Sequence, residues 1–160
     1  MIDQAKDHSL FPILVSLNEV GELLASLFIA EVIDLNRFSH YKEVEKYAGL
    51  NLNLKQSGKY VGPRHISKLG NKRLSFILYR MTEGAVKSIP EVRIKYLKRT
   101  IKSNIHRKNV VAATSWLLKL IFALHRENQI YEAREEAIRR VIELEDQLET
   151  KNKKRQKRAA

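Results

Sequence analysis

Ser57 stands between Gln56 and Gly58 in the stretch LKQSGKYVGPRHISKLGNKRL, residues 54–74. A hydroxyl next to glycine can be approached closely by another backbone, because glycine has no Cβ. Lys55, Lys59, Arg64, Lys68, Lys72 and Arg73 surround it in sequence. In that company a serine can act as a nucleophile on phosphorus. The cations would hold flanking phosphates and stabilise the charge that develops during transfer. The plainer alternative is a turn, where Ser-Gly steps are at home. No carboxylate occurs from Lys46 to Thr82, however, and neither a turn nor solubility requires that absence. His65 is the one histidine in the segment, so the residues leave the general base unassigned.

Other chemistries find less support. The chain has no cysteine, which excludes a thiolate nucleophile, a disulfide framework and a cysteine zinc site. Its five histidines (His8, His40, His65, His106 and His125) show no metal-ligand spacing. Glu31 and Asp34 fall on one face at the close of a helical stretch and read as solvated acids, so no metal ligand is assigned. LNEVGELLA (17–25) has the layout of two helices joined by a glycine-bearing turn, whose amides can meet a phosphate. Glu19 in that turn opposes an anion, and a purely structural hairpin is the expectation.

Charge is sorted along the chain. Net charge is +12 over 160 residues. From Met1 to Glu45 there are eight acids and three bases. From Lys46 to Thr82 there are eight bases and no acid, and from Val92 to Arg126 nine bases and no acid. Residues 127–149 turn acidic, and the last ten residues hold six bases. A solvated surface mixes its signs, so this separation points to a polyanion partner, with nucleic acid ahead of an anionic membrane surface. The most apolar stretches, Val20–Leu35 and Val110–Leu124, are shorter than a membrane span and contain charges.

The elements that must carry these residues are helical. Leu10, Ile13, Leu14 and Leu17 form one stripe, interrupted at Pro12; Val20, Leu23, Leu24, Leu27 and Phe28 form the next. Ser39 suits an N-cap for a helix through Tyr41, Val44 and Tyr47, with Gly49 as its stop. Residues 49–70 have no period and contain Gly58, Gly62, Pro63 and Gly70. They read as a long basic loop with room for a short hairpin, and loops of that length are often functional. Asn71 caps the next helix and Pro90 opens another. A strongly apolar helix surrounds Trp116. The last helix repeats Ile130, Ala133, Ala137, Val141, Leu144 and Leu148, a spacing that admits a short coiled coil or a helix docked on the domain. The expected class is mainly α: a compact multi-helix domain with a long basic loop and an extended C-terminal helix. KNKKRQKRAA (151–160) reads as a disordered basic tail.

The succession IAEVIDLNRF (29–38), YAGL (47–50), KQSGK (55–59), ISKLGNKRL (66–74) and AATSWLLKLIFALHRENQIY (112–131) resembles the C-terminal transposase domain of the insertion-sequence "one-ten" family. That family includes the Piv-type DNA invertases. The resemblance runs from about Leu14 to Tyr131. It implies a two-part recombinase acting in DNA transposition, in which an N-terminal RuvC-like domain carries four acidic Mg²⁺ ligands (a D-E-D-D set). The C-terminal domain carries a nucleophilic serine, which becomes Ser57 here. Lys55, Gln56, Gly58, Lys59, Arg64, Lys68, Asn71, Lys72 and Arg73 then become candidate nucleic-acid contacts. The implied partners are DNA, a structured guide RNA in some members, a RuvC-like half acting in trans and a homo-oligomer, in a prokaryotic cytoplasm near the nucleoid.

Two departures stand out. Asn18-Glu19 replaces the family's usual Pro-Gly turn. The stretch before Leu14 is also too short for a RuvC-like domain, and no D-E-D-D set occurs elsewhere. The expectation is a connecting-helix remnant at 1–13, the transposase C-terminal domain at 14–131, an amphipathic helix at 132–150 and the tail. Such a piece would be a truncated or split part, inactive alone, with Mg²⁺ required only alongside the missing half. The alternatives are a non-enzymatic nucleic-acid-binding module and, last, a helical interaction protein using 127–149.

Overall fold

The computed structural model describes the backbone at residues 2–53, 56–57, 60–61, 65–66 and 69–159; side chains at 52–68, 155 and 158–159 are not described. Among the described residues the chain is helical almost throughout. The helices are α1 (Ile2–Lys6), α2 (Leu10–Ser16), α3 (Glu22–Val32), α4 (Tyr41–Tyr47), α5 (Lys72–Ser88), α6 (Pro90–Lys102), α7 (His106–Glu127) and α8 (Glu135–Ala159). Between α4 and α5 the described residues form four two-residue strands: β1 (Leu52–Asn53), β2 (Gln56–Ser57), β3 (Tyr60–Val61) and β4 (His65–Ile66). The expected mainly α class and compact multi-helix body are what the structure has.

Local chemistry accounts for several boundaries. Pro12 does not interrupt its helix. It falls in the first turn of α2, where backbone N–H groups have no intrahelical partner to lose. Pro90 is the first residue of α6. His40, one residue after Ser39, caps α4: its Nδ1 accepts from Lys42 N at 3.2 Å, and Glu43 Oε2 reaches back to accept from Ser39 N at 2.8 Å.

α5 is the centre of the packing. It lies against α3, α6 and α7 and buries Leu74, Ile77, Leu78, Met81, Thr82, Ala85 and Val86. Facing it, α7 buries Ala113, Thr114, Leu117, Leu118 and Ile121. Where these helices meet, Thr82 Oγ1 donates to Leu78 O at 2.7 Å and lies 3.1 Å from Thr114 Oγ1, so the buried hydroxyl is satisfied. The same core takes in Leu10, Ile13 and Leu14 of α2. The boundary expected between residues 13 and 14 therefore falls inside one packed helix.

Two expectations about the C-terminal third are corrected. The last helix begins at Glu135 rather than near Ile130. Asn128 turns left-handed (φ 49°) and ends α7. The strap that follows is held by Tyr131, whose N–H donates to Ser16 Oγ at 2.8 Å and whose hydroxyl donates to Glu91 Oε2 at 2.7 Å. Residues 151–159, expected as a disordered tail, continue α8. Lys, Arg, Gln and Ala are good helix formers, and neither glycine nor proline occurs after Tyr131 to stop the helix. Of the two arrangements admitted for this helix, it is docked: Leu97 of α6 packs with Val141 and Leu144, and Arg93 Nε donates to Glu145 Oε1 at 2.6 Å.

Candidate nucleic-acid interface

The Ser57 segment emerges between α4 and α5, and its two feet are locked backbone to backbone. At the end of α4, Gly49 N–H donates to Lys46 O at 3.0 Å and Leu50 N–H to Glu45 O at 2.8 Å. Gly49 takes φ 71°. This is a helix stop that glycine adopts without steric cost. Gly70 crosses directly over it. A Cβ on Gly70 would lie 2.4 Å from Gly49 N and 2.6 Å from Tyr47 O, closer than atoms can sit. Asn71 N–H completes the crossing by donating to Tyr47 O at 2.8 Å.

Beyond the crossing the chain goes out and back as antiparallel pairs. Leu52 pairs with Ile66 and Asn53 with His65; Gln56 pairs with Val61 and Ser57 with Tyr60. The register differs by one residue between the two ladders. Ser57 and Tyr60 form the outermost described pair. Only Gly58 and Lys59 separate them in sequence.

Asn71 works inward. Its Oδ1 accepts from Leu74 N at 3.0 Å and caps α5, while its Nδ2 donates to Glu31 Oε2 at 2.6 Å. Its side chain thus ties the return of the hairpin to both α5 and α3. Glu31, read from sequence as a solvated acid, is the residue missed by sequence reasoning. The only available signal was that Glu31 and Asn71 belong to two of the quoted motifs. Lys72 and Arg73 follow the cap and are exposed on the first turn of α5, which holds no acid. Phe76, 64% exposed, shares that face. A helix N-terminus with two cations attracts anions.

The remaining candidates divide by position. Gln56 and Ser57 are placed by their backbone in β2. Lys55, Gly58, Lys59, Arg64 and Lys68 lie outside the described residues, as does Ser67 of the adjoining motif. The Asn18-Glu19 turn is a packing element. Ser88 Oγ donates to Asn18 O at 2.8 Å, and a Cβ on Gly84 would come within 3.0 Å of Glu19 Cβ. The residues present do not fit the divalent ion that the resemblance implies: among the described residues no three His, Asp or Glu gather to hold a metal. Glu31 is bonded to Asn71, and Asp34 Oδ1 accepts from Asn36 N at 2.9 Å. Among the described residues no helix is long and apolar enough to cross a membrane.

Comparison with known proteins gives a consistent result. The sequence model of the family described as "Transposase IS116/IS110/IS902 family" matches residues 12–97, more than half of the chain. Two curated relatives carry the similarity further. One is the "Insertion element IS110 uncharacterized 43.6 kDa protein" of Streptomyces coelicolor, 25% identical over 127 residues, which are 79% of this chain and 31% of the relative. The other is the "Insertion element IS116 uncharacterized 44.8 kDa protein" of Streptomyces clavuligerus, 24% identical over 119 residues, 74% of this chain and 30% of the relative. The chain thus spans somewhat under a third of the length of these relatives.

Proposed function

The chain belongs to the transposase family described as IS116/IS110/IS902, and from that premise we propose that it is the DNA-contacting, serine-bearing part of a transposase. Ser57 is its nucleophile in strand transfer. The observation that carries this reading is the anchorage of the hairpin. Ser57 occupies the outermost described pair of two arms whose feet are fixed by the Gly49–Gly70 crossing and by Asn71. A nucleophile needs a rigid support to stay near its target bond, and this crossing fixes both feet of a segment without acids. Transfer of a phosphodiester to the Ser57 hydroxyl exchanges one phosphate ester for another and releases a deoxyribose hydroxyl. The serine proton balances that hydroxyl. Lys72 and Arg73, with Lys55, Lys59, Arg64 and Lys68 of the hairpin segment, hold the flanking phosphates. Divalent-metal chemistry belongs to an acid-bearing RuvC-like half, which works with this chain in the same polypeptide or in trans.

The test is a covalent adduct. The chain is combined with a RuvC-like half, Mg²⁺ and labelled insertion-element end DNA, then denatured and run on a gel. We expect a protein–DNA adduct that Ser57→Ala abolishes while leaving non-covalent binding intact. An adduct that survives Ser57→Ala removes Ser57 as nucleophile. Salt-sensitive DNA binding with no adduct under any condition favours a binding module that has kept the surface without the chemistry.

A further inference from the structure

Trp116 is the single tryptophan of the chain, and α7 turns it outward. It is 42% exposed, while Val110, Ala113, Leu117, Leu118 and Ile121 of the same helix are fully buried. The Nζ atoms of Lys95 on α6 and Lys119 on α7 lie 5.8 and 5.4 Å from its ring centroid. Trp116 and Lys119 line an open groove of about 650 Å³ with Leu120, Ala123 and Ile130. Lys119 also borders a second groove of about 190 Å³, shared with His40, Tyr41 and Arg126. Ten residues of helix separate Trp116 from Arg126, roughly 15 Å. One exposed face of α7 therefore carries an aromatic surface at one end and cations along its length.

A half-exposed tryptophan flanked by two lysines, in a stretch of sequence without acids from Val92 to Arg126, has few suitable ligands. A planar base can stack on the indole, and the long lysine stems can turn from the ring to phosphates on either side. That combination of aromatic surface and cationic track is how single strands are held without sequence preference. A duplex keeps its bases stacked on one another and cannot offer a free face. The wider groove also holds Glu91, engaged by the Tyr131 hydroxyl, together with Glu127, Glu132 and Arg134. The acids repel phosphate, so the strand's backbone follows Lys95, Lys119 and Arg126.

We propose that Trp116 is a stacking platform for an unpaired base of single-stranded DNA, with Lys95 and Lys119 on the adjacent phosphates. The choice of DNA rests on the function proposed above; the choice of a single strand does not. Trp116 and Lys119 lie outside the family-matched residues 12–97 and Lys95 lies within them; all three are on different elements from the Ser57 hairpin.

Because the tryptophan is unique, its fluorescence reports this site alone. The full chain is titrated with short labelled single-stranded DNA, the matching duplex and the matching RNA, recording probe anisotropy and Trp116 emission together. Single-stranded DNA should quench Trp116 in step with the rise in anisotropy, and duplex should not. Trp116→Leu, which keeps a large apolar side chain, should weaken single-strand binding about fivefold or more and leave duplex binding unchanged. Trp116→Phe should restore it. A rise in anisotropy without quenching, or unchanged binding by Trp116→Leu, overturns the platform and leaves the proposed function standing. Quenching by RNA alone overturns DNA as its ligand. No anisotropy change with any nucleic acid overturns both readings.

Discussion

Asn71 has one amide and uses both ends of it inside the protein, on Leu74 N and on Glu31. Asn71→Asp keeps the cap acceptor but sets a second carboxylate against Glu31. It should cost about 1–3 kcal/mol at neutral pH. Thermal melts of both proteins at neutral pH check this. Gly70→Ala should be worse, about 2–5 kcal/mol, because its Cβ would collide with backbone and not with a movable side chain. Tyr131 gives a third test at this scale. Burial first, and then its hydrogen bond to Glu91, push its hydroxyl well above the ordinary tyrosine range. The folded state therefore holds that proton more tightly, and stability should fall as pH rises past about 10, where the unfolded tyrosine ionises. Tyr131→Phe should show a shallower alkaline decline in denaturant titrations.

Between elements, junctions decide geometry. α3 ends in a tight turn at Ile33, φ 65° and ψ −64°, closed by Asp34 N–H to Val32 O at 2.8 Å. This left-handed γ-turn is strained for a β-branched residue. Ile33 is exposed, so Ile33→Gly should relieve strain with little burial lost. A gain of about 1 kcal/mol would raise the melting temperature by roughly 2–4 °C. At the other end of the chain, α8 is held to α6 by a small cluster and the Arg93–Glu145 bridge. Leu144→Ala should cost about 2–4 kcal/mol. Its effect should appear as faster hydrogen exchange in α8, with the amides of α5 and α7 kept protected. The helical period in 130–148 was legible in sequence. The start of the helix was not, because Ile130 matches the spacing but sits in the Tyr131 strap and is largely exposed.

At the scale of the whole molecule the dominant property is segregated charge. The proposed function implies that the chain alone binds DNA through its phosphates. If about six are neutralised, log K should fall against log salt with a slope near −5. Filter binding or anisotropy at a series of salt concentrations measures it, and Ser57→Ala should leave the slope unchanged. Replacing Lys72 and Arg73 together with alanine should make the slope shallower by about 2.

What the sequence determined by itself is whatever neighbours along the chain dictate: the helical class from apolar spacing, the stop at Gly49, the cap at Asn71, the opening at Pro90, and the acid-free stretches around Ser57 and Trp116. Backbone preferences and capping act over a few residues, so a local pattern suffices to read them. Only the tertiary structure decided that Glu31 holds Asn71 across 40 positions, that Gly70 crosses Gly49, and that Lys95 of α6 reaches the ring of Trp116 on α7. A sequence shows which face of a helix is apolar, but the angle and offset at which two faces pack depend on how side chains from distant segments interlock. The candidate residues could therefore be named in advance, while their support was fixed by packing.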